Sequence, residues 1–572
     1  MKMKIYLKTI FTAGLLTGLV SLDACKKYET QPLDILTDSI VYDSKDKNGT
    51  YLQQRVVSLY LGLPNGFNRI DGLPLDAATD DAVASSYNAT IEDLAKSRIT
   101  ANSNPDNNWN DAYNTIRNAN NYLANELVVP IDPLTKTFYK AEVRFIRAIS
   151  YFELIKRYGG VPLIGDKIYD GTEVINIPRN TYDECVQYIV SECDAIAGFL
   201  RPNDYSSNGE LTGSNIGRIS VGAAMALKAR VLLYAASPLN NPNNDLTRWA
   251  NAASAAKAII TGLTNLKLYT VAAGNLPAFA NQFVVRGNNY ESILGYQTAP
   301  NVNLEKANAP IGYVFTNNSR GVVSPTQDLV DAFPALNGRP ITDPASGYDP
   351  ANPYANRDPR LAYTVFLNGD NWLGRPVEAF EGGLDNPTNI KGATRTGYYE
   401  RKFLGDFANA SSYSNQQRSF PIFRYAEVLL NYAEAINEAG TGTNQTEAFN
   451  QLAAIRARAG ITKGTTAGYQ YGLKTTMTQA EMRTAIRNER RIEMAFEEQR
   501  FWDIRRWKIA DVVGNSTLHG IKITKTGTTT FTYQTVNVDK LNFDPTKNYL
   551  YAIPLNEITS NPALRNQQNP GY

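Results

Sequence analysis

Between Arg487 and Lys508 the sequence reads RNERRIEMAFEEQRFWDIRRWK, a run of arginines, acids and aromatics in one short segment. Three chemistries fit such a segment: a basic surface for nucleic acid, a carboxylate-lined active site, or a charge-locked scaffold element. Helical spacing decides among them. Ile492, Ala495, Phe496, Gln499 and Trp502 follow at steps of three and four residues and mark one face of a helix. Arg490 with Glu493, Glu497 with Arg500, and Asp503 with Arg506 stand at ion-pairing distance along it. Interleaved acids repel phosphates. Arginine-paired carboxylates have lowered pKa values, which suit neither a general acid nor a tuned base. The segment reads as a structural helix locked by charge pairs and aromatics.

Little else in the chain is arranged for catalysis. A glycosidase needs two carboxylates flanking a sugar, and among dozens of acids nothing singles out a pair. One histidine, His519, and three cysteines nearly exclude a zinc site. Cys185 and Cys193 fall in a helical pattern about 12 Å apart, too far for a disulfide, so two buried free thiols are expected. The segment GSNIG at Gly213 has the wrong spacing for a nucleophile elbow, GTGTNQ at Gly440 lacks the third glycine of a dinucleotide fingerprint, and no Walker A sequence occurs. SKDKNG (Ser44–Gly49) imitates the start of an EF-hand, but Ser44 replaces the first Asp and Arg55 the final Glu. No motif indicates a cofactor. A calcium ion held by loop carboxylates is the one metal left open.

Binding to a polar ligand has more support. Tyrosine is abundant, at 34 residues. Sugars present apolar C–H faces and rings of hydroxyls, which exposed aromatic rings and planar polar side chains match. Trp372 in LNGDNWLGRPVEAF, with Asp370, Asn371 and Arg375 beside it, is the first candidate. Tyr87 in ATDDAVASSYNAT, with Asp80 and Asp81, is the second; Tyr313 and Tyr348 follow. Trp109 begins a helix and reads as packing, while Trp502 and Trp507 belong to the scaffold segment.

The elements that position these residues are mainly helical. MKMKIYLKTIFTAGLLTGLVSLDAC has lysines first, then an apolar stretch too short to span a bilayer comfortably, the layout of a signal peptide. Leu22-Asp23-Ala24-Cys25 resembles a bacterial lipobox, with Asp23 where a small residue is usual, so Cys25 is the expected lipidation site. Residues 1–24 are then a signal peptide and 25–46 a polar tether. Without residues 1–24 the chain has 54 basic and 54 acidic residues, a balance that counts against nucleic acid.

Residues 47–264 read as a helical scaffold. Phe138, Ala141, Phe145, Ile149, Phe152 and Ile155 mark a helix that Gly159, Gly160 and Pro162 stop. Thr181 and Glu184 form a capping box for a helix to about Leu200, and helices follow at Val221–Ala236 and Trp249–Ile260. Residues 265–420 are rich in Gly, Asn, Pro and Tyr, the composition of ordered loops that carry function. Residues 421–572 return to helices at Ile422–Asn437 and Glu447–Ala459, with a second capping box at Thr478 and Glu481. The layout resembles tetratricopeptide hairpins, although no consensus recurs at a strict 34-residue period.

AEVRFIRAISYFELIKRYGGVPLI (Ala141–Ile164), RDPRL (Arg357–Leu361), FRYAEVLLNYAEAINEAG (Phe423–Gly440), LAAIRARAG (Leu452–Gly460), the segment at Arg487, and LYAIPLNEITSNPALRNQQNPGY (Leu550–Tyr572) occur in one order. Together they resemble the SusD/RagB family of surface lipoproteins. The resemblance covers essentially the whole chain, and it implies four tetratricopeptide-like hairpins as a scaffold, with the loop-rich insertion carrying the ligand surface. It also implies a non-catalytic, lipid-anchored outer-membrane receptor that passes oligo- or polysaccharide to a SusC-type TonB-dependent transporter. The quoted motifs are chiefly scaffold in that family, so none is carried over as a ligand site. Capture of peptides is the alternative within the family, a secreted glycosidase or a purely structural surface protein the alternatives outside it.

Overall fold

The computed structural model describes residues 38–169, 172–205, 211–313, 321–390, 393–409, 414–440 and 443–572. The signal segment, Cys25 and the tether up to residue 37 lie outside them. The rest of the tether is not free chain: Asp38–Val41 forms one helical turn, and Val41 and Tyr42 are buried. The packed body therefore begins before residue 47.

The long helices are α1 (Thr50–Leu59), α2 (Trp109–Asn125), α3 (Pro133–Tyr158), α4 (Tyr182–Ala197), α5 (Val221–Ala236), α6 (Leu246–Gly262), α7 (Tyr425–Ala439), α8 (Thr443–Ala459), α9 (Gln479–Glu493) and α10 (Arg500–Arg506). From α2 to α9 each packs on the next in chain order, a ladder that fits the expected hairpins. The apolar stripes meet in one core, with Phe145, Ile149 and Phe152 of α3, Leu227 of α5 and Ile259 of α6. A second cluster joins Leu429, Leu452 and Ile486 of α7, α8 and α9. Cys185 and Cys193 are both buried free thiols on α4. Both capping boxes form: the Thr181 and Thr478 hydroxyls accept from the Glu184 and Glu481 amides, and each glutamate reaches back to the threonine N–H. Such caps satisfy helix-end N–H groups that have no intrahelical acceptor.

Residues 265–420 sit between α6 and α7, which pack directly together, so the whole loop-rich segment leaves and re-enters the ladder at one place. Two antiparallel strands close its base, β2 (Ser292–Gln297) and β4 (Ser419–Arg424). Ile422–Arg424, expected as the first turn of a helix, finish β4 instead; the pairing with β2 holds Arg424 extended and the helix starts at Tyr425. Elsewhere β1 (Ala82–Ala84) pairs with β3 (Val323–Pro325), and β5 (Thr517–Lys525) with β6 (Phe531–Lys540).

The Arg487 segment is not one helix. It stops at Glu493, Phe496 and Glu498 turn left-handed at φ 60° and 57°, and α10 resumes at Arg500. Tertiary bonds compensate these unfavourable angles. The Phe496 N–H donates to Asp76 Oδ1 at 2.9 Å, and Lys402 Nζ donates to the Glu493 and Ala495 carbonyls at 3.0 and 2.8 Å. Of the three local ion pairs expected, only Asp503–Arg506 forms, at 2.8 Å. Arg490 turns to Asp503, Glu497 to Lys402 and Arg424, and Arg500 to Asp80.

These longer contacts build a buried charge network between insertion and scaffold. Arg360, fully buried, meets Asp358 at 2.7 Å, Glu489 at 2.7 Å and Glu493 at 2.8 Å. Arg424 meets Glu291 and Glu493 at 2.8 Å and Glu497 at 2.7 Å. Arg458 joins Glu291 and Glu493. Burial pushes the Glu493 carboxyl up, but Arg458, Arg424 and Arg360 outweigh it and hold the group well below the usual carboxylate range.

Candidate functional site

The loop carrying Tyr87 is fixed from both sides. Asp80 is clamped by Arg500 at 2.8 Å and Arg491 at 2.9 Å, and Asp81 by Arg491 at 2.6 Å. Burial raises the Asp80 carboxyl, yet the two guanidinium groups bring it well below its ordinary value. Asp81, a candidate ligand residue by sequence, is wholly buried and anchors the loop. The pairing of β1 with β3 continues through Ser85, whose N–H donates to the Val322 carbonyl at 2.9 Å.

Beyond Ser85 the chain turns outward, with Ser86, Tyr87 and Asn88 exposed and Asn88 left-handed at φ 60°. Tyr87 is 54% exposed. The guanidinium carbon of Arg395 sits 4.4 Å from its ring centroid. The Arg395 side chain is 4% exposed and donates to Asp539 Oδ2 at 2.6 Å, the Ala84 carbonyl at 3.1 Å and Glu92 Oε1 at 3.3 Å. The arginine therefore has one available position, and stacking on it orients the ring. The outcome is an exposed aromatic surface beside the hydroxyl and amide groups of Ser86, Asn88 and Thr90. Arg395 carries no local sequence signal; only the fold brings it under Tyr87.

Trp372, Tyr313 and Arg375 come together, but as part of the core. Trp372 is 3% exposed, its ring lies 5.0 Å from both Tyr313 and Phe366, and its indole N–H donates to the Gly405 carbonyl at 3.1 Å. It cannot present an open face to a sugar. The reason is strand alternation: Asn371–Trp372 and Arg375–Pro376 form a short hairpin, with Asn371 pointing out and Trp372 in. Tyr313 is equally buried, donates to the Arg375 carbonyl at 3.0 Å and carries the Arg375 guanidinium 3.6 Å above its ring. Arg375 is also bound to Asp385 at 2.8 Å. Asp370 accepts from the Leu367 N–H at 3.0 Å, and burial pushes its carboxyl up to about 6. Tyr348 is half-buried. Trp109, Trp502 and Trp507 are buried. Of the residues singled out by sequence, Tyr87 and Asn371 face solvent. Among the described residues no group of three or more His, Cys, Asp or Glu is placed to hold a metal ion.

The SusD family model matches residues 278–572. The chain belongs to the SusD family. A second model, described as starch-binding and associating with outer membrane, matches residues 34–233 of this SusD-family protein. SusD-like protein P2 of Formosa agariphila is 25% identical over 480 residues, covering 81% of this chain and 80% of its own. A SusD-like protein of Bacteroides fragilis superposes with TM-score 0.75 at 26% identity, over 94% of this chain and 99% of its own. A SusD-like carbohydrate-binding protein of the same species gives TM-score 0.71 at 25% identity, over 90% and 98%. Family and fold agree, and of these relatives the second Bacteroides fragilis protein is described as carbohydrate-binding. No described helix is long and apolar enough to cross a membrane.

Proposed function

We propose that this SusD-family protein is a non-catalytic receptor, anchored to the outer membrane through a lipidated Cys25, that captures oligo- or polysaccharide at the cell surface. It hands the glycan to a SusC-type TonB-dependent transporter. The observation that carries the reading is the Tyr87 ring, exposed and set by a buried arginine within a loop clamped to the scaffold. A preset aromatic surface binds a sugar face without first losing the freedom of a mobile loop. Family membership supports glycan as the ligand class, and the lipobox-like segment supports the anchor.

The test is calorimetric titration of the soluble chain, beginning after Cys25, with an oligosaccharide panel. Tyr87→Ala is expected to weaken the best ligand on the order of tenfold or more while leaving the melting temperature unchanged. Undiminished affinity in that variant would move the site to other loops, and a panel without any ligand would count against glycan capture.

A further inference from the structure

Among the described residues, β6 is paired along one side only. Its neighbour β5 is bonded on both sides. The Ile521 N–H donates to the Thr396 carbonyl at 2.8 Å, and the Ile523 carbonyl accepts from the Glu381 N–H at 2.9 Å. Main-chain groups alternate sides along an antiparallel strand, so those of Ile521 and Ile523 point away from β6. Opposite them in register stand Thr535 and Tyr533, and Phe531 stands opposite Lys525. The N–H and carbonyl groups of Phe531, Tyr533 and Thr535 therefore point away from β5, and no main-chain group of the described residues meets them.

Such an edge accepts another strand unless charge, proline or a bulge blocks it. This one is open. From Thr526 to Val538 no residue is charged and none is proline. The irregularity of the ladder lies at its far end, between Leu518 and His519. Thr532, Gln534, Thr535 and Asn537 are exposed. The strand also suits itself. Laid antiparallel about Tyr533, two copies set Phe531 against Thr535 and Tyr533 against its own mate, so every outward N–H meets an outward carbonyl. Aromatic and β-branched side chains then lie side by side on the face where Phe531 packs on Phe380 at 5.6 Å and Tyr533 on Tyr354 at 5.4 Å. Without residues 1–24 the chain is balanced in charge, so two copies meet little long-range repulsion.

We propose that β6 is a self-association edge, joining two copies of this protein through one continuous sheet about a two-fold axis. The end of the strand lies under the candidate sugar surface: Arg395, which stacks on Tyr87, donates to the Val538 carbonyl at 3.3 Å. Joining the edges fixes two Tyr87 surfaces on one assembly, where a polysaccharide that reaches both gains avidity without a new contact. The pairing itself stands whether or not the ligand is a glycan.

Sedimentation equilibrium of the soluble chain, up to about 200 µM, reads an interface of this modest size. The mass is expected to rise toward twice that of the monomer with concentration. Tyr533→Pro removes an outward N–H and keeps the bonds to β5, and Thr535→Lys puts a charge in the middle of the edge. Each is expected to weaken the dimer on the order of tenfold or more. Melting temperatures of both variants, read alongside, separate a lost pairing from a lost fold. Residue-resolved hydrogen exchange is expected to slow the Phe531, Tyr533 and Thr535 amides as concentration rises, while those of Thr532, Gln534 and Val536 are slow throughout. A monomer over the whole range would overturn the proposal. So would a dimer that ignores both folded variants, or one that leaves the outward amides fast. Slowing of those amides in a monomeric chain only on addition of an unrelated β-strand peptide would give the edge to a foreign strand instead.

Discussion

The indole of Trp372 is covered by Tyr313 and Phe366, and its N–H is spent on the Gly405 carbonyl, whereas Tyr87 keeps more than half its surface in water. Truncation should therefore separate them. Trp372→Ala is expected to cost about 3–5 kcal/mol of folding stability, measured by urea denaturation, with glycan affinity of the folded fraction retained. Asp76 makes a different residue-scale prediction. Burial, then the nearby Asp81 and Glu498 charges, push its carboxyl up to about 8, and Lys402 draws it only partly back. Because the folded pKa lies above the unfolded one, its stabilising contribution is fully present below about pH 4 and is lost as pH rises toward 8. The slope is up to about 1.4 kcal/mol per pH unit. Asp76→Asn keeps an acceptor for the Phe496 N–H and removes the titration. The gap in unfolding free energy between variant and parent should widen from pH 5 to pH 8; a constant gap would refute the shift.

At the scale of elements, helix boundaries follow two kinds of control. The starts of α4 and α9 are set by capping boxes, written entirely in local sequence. The end of α3 is set by Gly159, whose φ of 74° favours glycine, and by Gly160, which lies against the chain entering α4. A Cβ at Gly160 would stand 2.0 Å from the Asn180 carbonyl oxygen, a backbone atom that cannot swing aside. Gly160→Ala is expected to lose about 1–3 kcal/mol and to lower the melting temperature, read by calorimetry. The end of α9 follows the other control. Its apolar spacing continues through Trp502, yet Asp76 and Lys402 capture backbone groups of residues 493–496 and break it there. Local periodicity could not show this, because both partners lie far away in the chain.

For the whole molecule, the buried charge network joins the 265–420 insertion to the helical ladder alongside the apolar core the two share. Arg424, at the junction of β4 and α7, touches Glu291 of the insertion and Glu493 and Glu497 beyond α8. Removing the cation leaves three buried carboxylates with fewer partners, a loss far greater than the worth of the intact pairs. Arg424→Met should cost about 3–5 kcal/mol and, in limited proteolysis, open the insertion to cleavage before the helices. Cleavage spread evenly over the chain would argue that the insertion is held by apolar packing instead.

The sequence by itself determined the helix-rich class, the capped helix starts, the free thiols of α4, the loop-rich interval between α6 and α7, and the resemblance that the family match sustains. Each is encoded locally, by periodicity, by caps or by ordered short motifs. Only the tertiary structure decided which loop aromatic is open. Trp372 and Tyr87 stand in similar polar, turn-rich surroundings, and strand alternation and distant partners bury the one while Arg395 props up the other. The same holds for the ion pairs. Spacing along a helix proposed neighbours three residues apart, and Asp503–Arg506 is such a pair, but Arg490, Glu497 and Arg500 find their partners elsewhere in the fold, since a buried ion is stable only where several opposite charges and hydrogen bonds converge on it.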